Sequence, residues 1–67
     1  MSVVTVNGKK VELDKPLSIK EYLDTSGIDS KIVVVEHNFE IPDKNKWSEI
    51  TLKDGDNLEI VKFIGGG

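Results

Sequence analysis

Two β-branched runs meet at Asn7-Gly8, and that dipeptide restricts the chain more than any other local feature. Val3 to Val6 leads into it and Lys9-Lys10-Val11-Glu12-Leu13 leaves it. A two-residue loop of this kind closes as a type I′ turn, which needs positive φ at both central residues, and Asn and Gly tolerate that best. The turn pairs Val6 with Lys9 and Val4 with Val11. Val4, Val6, Val11 and Leu13 then share one face, and Val3 points the other way.

Downstream of the hairpin, Lys15-Pro16 ends the strand and Ser18 opens a helix over residues 19 to 26. Glu21 closes a capping box with Ser18, Leu17 and Tyr22 form the staple, Ile19 and Leu23 mark the buried stripe, and Gly27 is the stop. Ile32-Val33-Val34-Val35 is a wholly β-branched run, which predicts a central strand. Asn38 to Ile41 predicts a weaker strand, and after Pro42 a single helical turn capped by Asp43 carries Trp47 back as a lid on the core. Lys53-Asp54-Gly55-Asp56 reads as a turn rather than a calcium loop, because the ligand spacing of such a loop is missing. Asn57 to Phe63 is the last strand.

Strand, strand, helix, strand, short strand, strand is the pattern of an α+β, ubiquitin-like β-grasp. It predicts a mixed sheet of four to five strands covered by one main helix, with the last strand parallel to the first. The β-grasp domain is expected over residues 1–63, with a flexible glycine tail at 64–67. At 67 residues the chain has room for one small core.

Composition removes several functions. Nine basic residues, all lysine, against twelve acids give a net charge of −3 and no arginine-rich stripe for nucleic acid. No run approaches a membrane span and the first residues lack the pattern of a signal peptide, so a cytoplasmic protein is expected. With no cysteine, the chain has neither a thiol nucleophile nor a thiolate metal site. His37 is the single histidine and reads as a strand-end surface residue without metal partners, and the serines have no triad to join. No catalytic residue and no metal or bound cofactor is expected.

The chemistry is therefore placed at the end of the sequence, Ile64-Gly65-Gly66-Gly67. At about 7% glycine per position, a triple glycine at one given place has a random expectation of roughly 3 in 10,000. A terminal carboxylate is ionised at neutral pH and must be activated before it can acylate anything. Adenylation by ATP would give a mixed anhydride that sulfide opens directly, or a persulfide opens with a thiol then reducing the S–S bond, leaving a thiocarboxylate on Gly67. Gly65 and Gly66, lacking side chains, suit a tail that threads a narrow partner site. Four extended residues reach at most ~13–14 Å, so the body must dock close by. Val3, Val61, Phe63 and Ile64 are the expected docking face, joined either by Ile32 and Val34 or by Val33 and Val35.

Nearly the whole chain resembles the ThiS sulfur carriers of thiamine (thiazole) biosynthesis. The resemblance rests on Val6-Asn7-Gly8, on Lys31-Ile32-Val33-Val34-Val35-Glu36 with Asn38 following, on Trp47, and on Asp54-Gly55-Asp56 through Glu59-Ile60-Val61 to Phe63-Ile64-Gly65-Gly66-Gly67. It departs at Pro42-Asp43-Lys44, where many members carry a basic residue after the proline. The resemblance implies a carrier that is not an enzyme. Gly67 would be adenylated by a ubiquitin-activating-type, ThiF-like adenylyltransferase using ATP, receive sulfur from a cysteine desulfurase, and deliver it to a ThiG-like thiazole synthase. A Gly-Gly ending also fits carriers for molybdopterin or other thiolated products and ubiquitin-like modifiers. In a different class stands a β-grasp interaction module with an idle tail.

Overall fold

The computed structural model describes residues 1–63; Ile64, Gly65, Gly66 and Gly67 lie outside the described residues, as does the expected flexible tail. Four strands form one mixed sheet: β1 (Ser2–Val6), β2 (Lys9–Leu13), β3 (Val33–His37) and β4 (Asn57–Lys62), in the order β2-β1-β4-β3. One helix, α1 (Ile19–Thr25), packs on one face. Short 3₁₀ turns at Ser30–Ile32 and Lys44–Lys46 complete the elements of the described residues.

The β1–β2 hairpin forms as its turn chemistry requires. Asn7 and Gly8 have φ of 49° and 84°, and Val6 pairs with Lys9 and Val4 with Val11. β4 then lies parallel to β1, with Thr5 level with Asn57 and Val6 with Leu58. β1 stops at the turn, yet its pairing with β4 continues through the Asn7 side chain, whose amide accepts from Ile60 N–H at 2.7 Å and donates to Ile60 C=O at 3.3 Å. One residue thus shapes the turn and holds β4 beyond the end of its neighbour. Asn7→Gly keeps the turn and removes both bonds, so we expect a loss of about 1–2 kcal/mol in urea unfolding. An unchanged midpoint would show that the amide bonds contribute nothing net.

The helix begins at Ser18, whose hydroxyl accepts from Glu21 N–H at 3.0 Å while Glu21 Oε1 accepts from Ser18 N–H at 2.9 Å. It ends one residue short of the expected span, with Ser26 as cap and Gly27 at φ 73°. The N–H groups of Gly27 and Ile28 return to the carbonyls of Asp24 and Leu23, closing a Schellman motif that only a residue at ease with positive φ completes. Ile19 and Leu23 are fully buried against Val4, Val6, Val33, Val35 and Leu58, with Trp47 and Leu52 closing the side, so Trp47 is the core lid expected of it. Residues 47–52 are tied to the start of α1 by Ile19 N–H to Ile50 C=O and Leu52 N–H to Leu17 C=O, at 2.9 and 2.8 Å.

Two strand expectations fail. The β-branched run at 32–35 is not central: β4 inserts between β1 and β3 and leaves β3 at the sheet edge. Ile32 sits in a 3₁₀ turn whose cap, Asp29, accepts from Lys31 N–H at 2.9 Å, so the strand starts only at Val33. Residues 38–41 form no strand either. Asn38 and Phe39 take φ of 50° and 70°, Asn38 N–H still donates to Asn57 C=O at 2.9 Å, and beyond it the chain makes an isolated bridge between His37 and Glu40. The 3₁₀ turn after Pro42 forms as expected, but Asp43 makes no side-chain cap bond there.

Candidate functional site

The site is the end of β4, from which the glycine tail continues. On one side β3 pairs with it antiparallel, Val34 opposite Val61 and Val33 opposite Lys62, and the last described bond is Phe63 N–H to Ile32 C=O at 2.7 Å. On the other side β1 has ended and the Asn7 amide reaches only as far as Ile60. Val61 and Phe63 are therefore held from one flank, on the strand that emerges mid-sheet.

This register decides which residues share the face turned away from α1. Val33 and Val35 are fully buried beneath the helix, so Ile32 and Val34 join Val61 and Phe63 on the open face. Val61 and Phe63 are 59% and 61% exposed and Ile32 is 40% exposed, a concentration of apolar surface that a small domain has no covering layer to bury. Val3 is not part of this patch. It shares the face, but Gly55 N–H, in the turn before β4, donates to its carbonyl at 2.8 Å, which sets it level with a position six residues before Val61, roughly 20 Å away at ~3.3 Å per extended residue. Thr5, Asn57 and Glu59 occupy the face between them. The parallel alignment of β1 and β4 is what separates residues that strand alternation alone had grouped.

Beside the patch, Glu36 and Glu59 are direct cross-strand partners on β3 and β4, both half-buried. Like charges facing one another in this way destabilise a sheet by a few tenths of a kcal/mol to about 1 kcal/mol. Glu59→Gln should accordingly raise stability by about 0.5 kcal/mol at low salt, with the gain shrinking as salt screens the pair. A gain that is absent, or insensitive to salt, would mean the two carboxylates already avoid each other.

At the opposite end of β4 lies a polar cluster whose extent sequence reading missed. His37 is no simple surface residue: its Nε2 lies 2.9 Å from Asp56 Oδ2, and the two side chains are only 19% and 12% exposed. Asp56 also accepts from Lys53 N–H at 2.9 Å and from the Asn38 amide at 3.1 Å, while Asn38 Oδ1 accepts from Asn57 N–H at 2.8 Å. Burial pushes the Asp56 carboxyl upward, but the His37 ring, the Lys53 N–H and the Asn38 amide together outweigh it and hold it below its ordinary 3.8. The cluster fastens β3 to the loop before β4. Asp54-Gly55-Asp56 is a turn, as expected, and Asp54 accepts from Val3 N–H at 2.7 Å. Among the described residues no group of three His, Cys, Asp or Glu side chains is placed to hold a metal. No helix among them is long and apolar enough to cross a membrane.

A mixed four-stranded sheet under one helix, with its last strand running parallel beside the first and ending mid-sheet, defines a ubiquitin-like β-grasp domain. The crystal structure of the thiamine biosynthesis protein ThiS from Geobacter metallireducens has the same fold, with a TM-score of 0.84 at 35% identity, covering 97% of this chain and 99% of that one. In sequence, residues 4–67 match the ThiS family, and the chain belongs to it. It is 41% identical over 66 residues to the sulfur carrier protein ThiS of Bacillus subtilis, covering 97% of this chain and all of that one. It is also 39% identical over 64 residues to a thiazole synthase of Paramagnetospirillum magneticum, of which it spans 20%.

Proposed function

We propose that this chain is the sulfur carrier of thiamine biosynthesis, with the Gly67 carboxylate as its working group. The observation that carries the reading is the coincidence, in a ThiS-family chain, of a triple-glycine ending with an apolar patch around the strand that leads into it. A ThiF-like adenylyltransferase docks on Ile32, Val34, Val61 and Phe63, with Ile64 next in sequence, and takes the tail into its own active site. The Gly67 carboxylate attacks the α-phosphorus of ATP and expels pyrophosphate. A persulfide formed by a cysteine desulfurase then displaces AMP from the acyl carbon, and a thiol reduces the resulting S–S bond to free the thiocarboxylate. Gly65 and Gly66 keep the approach slender. The carrier contributes the reacting carbonyl and the docking surface, while catalysis belongs to its partners.

The thiazole synthase match supports the acceptor. In the Paramagnetospirillum magneticum thiazole synthase, a segment similar to this carrier forms a fifth of the chain, which is what a carrier joined to its customer would look like. We therefore place a ThiG-like thiazole synthase as the recipient of the sulfur.

The test is the intact mass of the chain after incubation with ATP, a ThiF-like adenylyltransferase, a cysteine desulfurase, cysteine and a thiol. The expected product has one oxygen replaced by sulfur, and a chain lacking Gly67 stays unmodified. An unmodified full-length chain, with an adenylyltransferase proven on another carrier, would favour the interaction module with an idle tail.

A further inference from the structure

We infer that the cleft between α1 and the two 3₁₀ turns is a binding site for a phosphoryl group. It is a cavity of about 450 Å³ lined by Lys20, Ser30, Lys31, Lys44, Asn45 and Trp47. These residues come from separate elements, the helix, the Ser30–Ile32 turn and the Lys44–Lys46 turn, so the lysines converge through folding and are not a charged run in sequence. The chain carries twelve acids against nine lysines, yet three of the six lining side chains are lysines and none is an acid.

The lysines are not equivalent. Lys20 is bonded to Asp24 at 2.8 Å and is partly neutralised. Lys31 makes no ion pair among the described residues. Lys44 Nζ donates to the neutral Lys31 carbonyl at 3.2 Å and sits 5.8 Å from the centre of the Trp47 ring, which holds its charge over the cleft without cancelling it. Two ammonium groups without an ion pair among the described residues thus line the cleft together with a hydroxyl and a carboxamide. Lysine binds a phosphoryl group as a point charge, and two such charges with neutral donors beside them suit an anion that carries more than one unit of charge. The buried Trp47 body closes the cleft and offers no ring face for stacking, so recognition rests on the phosphoryl group itself and not on an attached base.

Trp47 is the only tryptophan and lines the cleft, so its fluorescence and its indole N–H resonance report occupancy directly. The full-length chain is titrated with inorganic phosphate and separately with AMP, at ionic strength held constant with chloride. Saturable shifts of the Trp47 signals are expected with phosphate or AMP, and the paired substitution Lys31→Ala with Lys44→Ala should weaken binding about tenfold or more, while Lys46→Ala, outside the cleft, leaves it unchanged. Equal affinity for the two probes would assign recognition to the phosphoryl group wherever it is carried; a response to AMP alone would overturn that assignment, because the contacts would then lie with the nucleoside. Both lysines are exposed, and the amide spectrum of the paired variant checks that it is folded. Signals that follow chloride as well as phosphate, that fail to saturate, or that persist unchanged in the paired variant would overturn the site.

Discussion

Asp56→Ala should cost about 2–4 kcal/mol of folding free energy, the largest stability loss expected from any polar side chain in this domain. The carboxylate accepts from His37, from the Asn38 amide and from the Lys53 backbone, and these three donors belong to the end of β3, the turn beyond it and the loop entering β4. Removing it frees the β3 end from the loop and leaves a mostly buried His37 ring without its partner. A domain of this size is stable by only roughly 3–10 kcal/mol, so the loss is a large part of the whole and corresponds to a melting-temperature drop of about 10–25 °C. The sign of the pH dependence follows from the depressed carboxyl. Its stabilising contribution is complete above the ordinary value of 3.8 and is lost as pH falls from there through the lower folded value, where the folded carboxylate also takes up its proton. Urea midpoints measured from neutral pH down into that acid range should therefore fall for the native chain, and Asp56→Asn should lack this part of the slope. A variant melting within a few degrees of the native chain would mean that the cluster is ornamental and β3 is held by its ladder to β4 alone.

This cluster also marks where sequence reading stops. The hairpin, the helix caps and the helix stop are legible because each depends on residues within about four positions of one another: Asn7 with Gly8, Ser18 with Glu21, Gly27 with the carbonyls of Leu23 and Asp24. His37 and Asp56 are 19 residues apart, and nothing local to either announces the other. The edge position of β3 escaped for the same reason. A run of β-branched residues reports burial, and Val33 and Val35 are indeed fully buried, but strand order depends on where β4 enters, which the run does not encode. Phe39 is a different case. Bulky residues avoid positive φ, so the turn that holds Phe39 at 70° and ends the predicted fourth strand has no signal beyond Asn38.

The apolar patch at the end of β4 was legible only in part. Alternation along β4 correctly turns Val61 and Phe63 away from the helix. Grouping Val3 with them required a register between β1 and β4, and parallel strands carry no turn to set one. In the folded chain the register comes instead from Asn7 clasping Ile60 and from Asp54 and Gly55 holding Val3.

That separation makes the proposed docking surface testable by contrast. Phe63→Glu should weaken binding to the ThiF-like adenylyltransferase about a hundredfold, because exposed aromatics at the centre of an apolar patch are the usual hot spots and a buried, unpaired carboxylate adds a penalty. Its folding stability should stay within about 0.5 kcal/mol, since Phe63 is 61% exposed and its bond to Ile32 is made by the backbone. Val3→Lys is the matched control. It puts a charge on the same face but about 20 Å away along the strand, opposite Glu12, which can pair with it. Calorimetric titration of both variants should show native affinity for Val3→Lys and near loss for Phe63→Glu. Equal weakening would extend the interface over the whole open face. Native affinity for Phe63→Glu would remove the patch from partner recognition and leave docking to the tail alone.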